Sequence, residues 1–89
     1  MDTEKYQRNA ALLHSTVGGD VVALDIDRGR CFGMEEVGAR IWELLAAPVT
    51  VATICEKLTT EYDVDATTCA TEVGEFIRQA ISEGVVSAV

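Results

Sequence analysis

This chain of 89 residues has one histidine, one proline, one tryptophan and only 6% aromatic residues. The single histidine, His14, leaves Ser15, Thr16 and three cysteines with one imidazole between them. No motif surrounds it, so no nucleophile–base pair is indicated. Cys31, Cys55 and Cys69 fall at no CxxC spacing, which argues against a zinc site and a redox pair alike. The Gly18-Gly19 pair lacks the following helix and lysine of a phosphate-cradling loop. Asp25 and Asp27 come from one strand face, with no loop to complete a cation's coordination. No apolar run reaches the ~18 residues that cross a bilayer, and residues 1–8 lack the positive-then-apolar order of a signal peptide. Basic residues are scarce too, with seven Lys and Arg against fifteen Asp and Glu, for a net charge of −8. Binding a phosphate backbone depends on counterion release from a basic surface, so nucleic acid is disfavoured. These absences lead us to expect a cytoplasmic protein that has no metal or cofactor and is not an enzyme. It should contact neither nucleic acid nor membrane, and its function should lie in binding.

Hydrophobic residues make up 48% of the chain, enough for one core and one domain at this length. Residues 1–9 are polar and aperiodic and read as a flexible lead-in to a single domain over 10–89. A first strand is expected between Asn9 and Ser15, and Val17-Gly-Gly-Asp20 is a turn by composition. From Asp20 to Asp27 the chain alternates, with Val22, Leu24 and Ile26 on one face and Val21, Ala23, Asp25 and Asp27 on the other. Arg28-Gly29 turns again, and Arg30–Met34 makes a third strand with Phe32 and Met34 on one face and Cys31 and Gly33 on the other. Periodicity then changes to helical. Val37, Ile41, Leu44 and Leu45 mark a first helix over about 35–47, with Trp42 on its margin and Pro48 stopping it. Thr50 is a good N-cap for a second helix, carrying Val51, Ile54, Cys55, Leu58 and Tyr62. Asp65 caps a third, burying Cys69, Val73, Phe76, Ile77, Ala80 and Ile81, and Gly84 ends it before an extended apolar tail. The fold expected is α+β and winged-helix-like, a three-stranded antiparallel sheet followed by three helices.

A three-stranded meander has two free edges, and Arg30–Met34 carries neither proline nor many charges to protect it. Set beside the third helix, it would bound an apolar groove.

The chain resembles the PqqD-like family, the leader-peptide-binding domains called RiPP recognition elements. The resemblance spans Val21 to Val86. It rests on Val21-Val-Ala-Leu-Asp25, Gly29-Arg30, Phe32-Gly-Met34, Val37-Gly-Ala-Arg-Ile-Trp-Glu-Leu-Leu45, Pro48, Thr50-Val51, Leu58 with Tyr62, and Val73 with Phe76-Ile77 ahead of Glu83-Gly84-Val85. Within the family the chain looks most like the discrete proteins encoded with lasso-peptide maturation enzymes. Such a resemblance implies a noncatalytic protein whose third strand accepts a precursor's leader peptide as an added strand. The bound precursor would then be delivered to a leader peptidase and a cyclase. By position, the peptide-binding residues would be Arg30, Cys31, Phe32, Gly33 and Met34 with Cys69, Val73, Phe76, Ile77 and Ala80. Two residues depart from the pattern: Glu35 replaces a usual asparagine before the first helix, and Cys31 a common aromatic. A PqqD-type peptide chaperone serving a radical enzyme in cofactor biosynthesis fits the same features. So, in another class, does a small winged-helix transcription regulator.

Overall fold

The computed structural model describes residues 3–89, arranged as two small antiparallel sheets and three helices. The elements are β1 (Lys5–Arg8), β2 (Leu13–Val17), β3 (Asp20–Asp25), β4 (Arg30–Met34), α1 (Glu36–Leu44), β5 (Val49–Thr50), α2 (Val51–Glu61), α3 (Ala66–Ser82) and β6 (Val86–Ala88). The first sheet has the order β2-β3-β4 and is the expected meander. Its first turn is tight because Gly18 and Gly19 take φ of 59° and 94°, the pair of positive angles a two-residue primed turn requires. Val17 and Asp20 close that hairpin directly opposite one another.

The sheet's buried face is the reverse of what bulk suggests. Val21 and Ala23 are 3% and 0% exposed, while Leu24 and Ile26 are 42% and 69% exposed. α1 packs across β3 and β4 on this inner side. A helix laid close on a strand fits small side chains best, and Ala23 supplies one there. β2 starts at Leu13, later than expected, because Asn9 curls the chain first: its side-chain oxygen accepts from the Ala11 N–H at 2.9 Å.

The helices follow from their caps and apolar stripes. Thr50 Oγ1 accepts from the Thr53 N–H at 3.1 Å, and Asp65 Oδ1 from that of Thr68 at 2.7 Å, as N-caps do. Glu35, in the N-cap position of α1, makes no side-chain cap bond. α1 ends at Leu44, short of Pro48. Trp42 is 1% exposed and central to the core, not on the margin of its helix. The Arg8 guanidinium lies 5.3 Å from the Trp42 ring centroid, and His14 meets the ring edge-on at 6.1 Å. α2 buries Ile54 and Leu58, and α3 buries Cys69, Val73, Ile77 and Ala80, but Tyr62 and Ile81 are exposed.

The second sheet, ordered β5-β1-β6, was not foreseen. Residues 5–8 form its central strand, in place of a flexible lead-in; Met1 and Asp2 lie outside the described residues. β1 pairs Tyr6 with Val49 on one side, and Gln7 with Ser87 and Arg8 with Val86 on the other. The Arg8 N–H also donates to Leu45 O at 2.9 Å, and the Asn9 N–H to Val85 O at 2.8 Å. This sheet fastens the α1–α2 corner and the end of α3 to the N-terminal segment, which fixes where α3 lies.

Candidate peptide-binding groove

The direction of the backbone groups on β4 follows from the β2–β3 turn. A two-residue hairpin closes on a hydrogen-bonded pair, so Asp20 turns its N–H and C=O toward β2, as do Val22 and Leu24. Val21, Ala23 and Asp25 must then face β4, where they sit opposite Met34, Phe32 and Arg30. Those three residues therefore bond inward. The backbone N–H and C=O of Cys31 and Gly33 point away from the sheet, at an edge that no other strand among the described residues covers. The side chains divide on the same alternation: Phe32 and Met34 are half-buried toward α3, and Cys31 is exposed on the outer face.

Between β4 and α3 lies a cavity of about 300 Å³, lined by Phe32, Gly33, Met34, Phe76, Gln79, Ala80, Glu83 and Val85. A second cavity of about 220 Å³ continues past the end of the strand, among α1, α2 and α3. Phe76 lines both. Gly38 faces this junction: a Cβ there would stand in ordinary contact, 3.6 Å from the Phe76 ring and 3.8 Å from Met34 Cβ. The wall offered by α3 is a stripe at i, i+4, i+7 and i+11: Glu72, Phe76, Gln79 and Glu83.

At the other end of the groove Arg30 fastens strand to helix. Its guanidinium donates to Glu83 Oε2 at 3.2 Å and to the Glu83 carbonyl at 2.8 Å, and it lies 5.3 Å from the Phe32 ring centroid. The carbonyl belongs to the C-cap of α3, where an unpaired acceptor and the negative helix end both favour a cation.

These positions sort the ten residues expected from the sequence. Phe32, Gly33, Met34, Phe76 and Ala80 line the larger cavity, and Cys69, Val73 and Phe76 the smaller. Ile77 lines neither and is 3% exposed, a core residue. Arg30 acts as a clamp, and Cys31 faces outward. Cys69 and Val73, at 3% and 2% exposure, form floor more than wall. Glu72, Gln79 and Glu83 were missed. All three are polar and so lie outside the apolar stripe, although the helical spacing from Phe76 points to them.

A strand edge open beside an apolar, helix-walled trough is the geometry in which to weigh the chain's relatives. The family described as "Coenzyme PQQ synthesis protein D (PqqD)" matches residues 20–86. The chain belongs to the PqqD family. The match runs from the first residue of β3 into β6, so both walls of the groove lie inside it and β1 and β2 outside. Among solved structures, "TbiB1 in Complex with the TbiA(beta) Leader Peptide" is similar at 27% identity, over 91% of this chain and 94% of that one, with a TM-score of 0.84. That coverage takes in more of the fold than the family match does. No curated protein matches significantly.

Proposed function

We propose that this PqqD-family protein binds the leader region of a ribosomally synthesised precursor peptide as a fourth strand on β4. The leader's side chains on one face would drop into the trough against α3. Main-chain bonds at Cys31 and Gly33 would supply affinity, and the cavities around Phe76 the selectivity, the division of labour common to strand addition. The observation that carries this reading is the open edge of β4 facing an apolar cavity on α3. The likeness to a protein whose structure holds a leader peptide supports it. Binding of this kind raises the effective concentration of a precursor at a partner enzyme. We infer that the partners are a leader peptidase and a cyclase of lasso-peptide maturation, and that the protein itself makes and breaks no bonds.

The family's description, which names coenzyme synthesis, leaves room for a second reading, and as that alternative we propose a peptide chaperone serving a radical enzyme in cofactor synthesis. One experiment addresses both. The purified protein is mixed with its precursor, then with a candidate leader peptidase, and peptide masses are followed. The proposal predicts an unchanged mass with the protein alone and faster cleavage once the peptidase is present. Cleavage by the protein alone contradicts the noncatalytic reading. Stimulation of a radical enzyme, with none of a peptidase, moves the protein to the second pathway.

A further inference from the structure

The smaller cavity has a composition of its own. Val37, Ile41, Leu58, Val64, Val73 and Phe76 are among its lining residues, and Glu72 is the one that carries a charge. Glu72 is exposed, and it has no ion pair and no side-chain hydrogen bond among the described residues. The other acid on the α3 stripe, Glu83, is already held by Arg30. The two ends of the groove therefore differ: one carboxylate is paired with a guanidinium, and the other has no ion pair among the described residues.

Resting on the strand-addition reading above, we propose that this cavity takes one lysine or arginine side chain of the bound peptide, with Glu72 as its selectivity residue. β4 runs from Arg30, beside the end of α3, to Met34, beside Gly38 and Phe76. A peptide laid along that edge passes the cavity as it leaves the Met34 end. The residue there meets an apolar shaft with a carboxylate on its rim. A lysine or arginine matches both parts, because its methylene stem packs on apolar surface while its head stays at the polar mouth. An aliphatic side chain would fill the shaft and leave Glu72 without a partner. Aspartate or glutamate would meet like charge on a molecule already at −8.

The test is a display selection of random peptides, about 14 residues long to match a strand with flanks, on the immobilised full chain. Parallel selections use Glu72→Gln, Glu72→Lys and, to report on the edge, Gly33→Pro. The expected result is a lysine or arginine at one fixed place in peptides whose enrichment is lost on Gly33→Pro. That preference should fade on Glu72→Gln and reverse to aspartate or glutamate on Glu72→Lys. Replacing the fixed basic residue of a selected peptide by norleucine should weaken binding about fivefold at low salt, the scale of a partly exposed ion pair. The difference should shrink at about 0.5 M salt, where the screening length is only a few ångströms. Edge-dependent peptides showing the same residue preferences on all three Glu72 forms would overturn the inference and leave leader binding intact. If no selected peptide depends on the β4 edge, the strand-addition reading fails and this inference fails with it.

Discussion

Among single residues, Trp42 is the largest fully buried side chain and its indole N–H has no acceptor among the described residues. Trp42→Ala should cost about 3–5 kcal/mol by chemical denaturation, the usual range for emptying an aromatic core site. Trp42→Phe should cost far less, because the group it removes is an unpaired donor. The cysteines divide by position. Cys69 is 3% exposed, and Cys69→Ser should lose about 1–3 kcal/mol through a poorly satisfied buried hydroxyl. Cys31→Ser, on the exposed face, should leave stability within about 0.5 kcal/mol of the parent. Glu36 has φ of 46°, a left-handed value costly for any residue with a Cβ, at the joint where β4 gives way to α1. Glu36→Gly should therefore raise stability by up to about 1 kcal/mol, and a lower midpoint would contradict that account. None of this strain could be read in advance, because a glutamate at a helix start looks favourable in sequence. Trp42 likewise looked marginal, since its partners Arg8 and His14 come from strands far away in the chain.

Among the elements, helix starts were the most legible parts of the chain. Thr50 and Asp65 cap through their own side chains three residues ahead, a local bond that needs no tertiary context. Thr50→Ala should lower stability by about 1 kcal/mol. The Thr68 hydroxyl and then its backbone N–H hold the Asp65 carboxyl below its ordinary value, and the Arg40 guanidinium does the same for Glu61. A carboxylate whose pKa is depressed by folding adds stability that is fully present above its unfolded value, near 4. That stability is lost as pH falls through the lower folded value. The melting temperature should hold steady from neutrality to about pH 5 and fall below about pH 4. Asp65→Asn keeps a cap acceptor and cannot titrate, so its decline should be shallower; equal slopes in parallel thermal melts would contradict the capping account. Strand faces were harder to read than caps. Alternation in β3 separates two sets correctly, but only the approach of α1 decides that Val21 and Ala23 go inside.

At the scale of the whole molecule, the second sheet was hidden because β1 has no periodicity of its own. Its pairing comes from segments more than forty positions away, at Val49–Thr50 and Val86–Ala88. The groove was half legible. The edge strand and Phe76 stood out by pattern, whereas the carboxylates at its two ends share the helical spacing of Phe76 but lie outside any apolar pattern, and the cavities single them out. The central claim is that β4 receives a peptide strand through the outward backbone groups of Cys31 and Gly33. The most direct measurement is a fluorescence anisotropy titration of the labelled leader of its precursor against the parent, Cys31→Pro and Gly33→Pro, with melting curves to exclude unfolded forms. Proline removes the outward donor at either position without touching the inward ladder to β3, so both variants should stay folded. Each should bind at least about tenfold more weakly, as the loss of a central main-chain bond implies. Folded variants at both positions that bind the leader as the parent does would show that the peptide does not add to this edge.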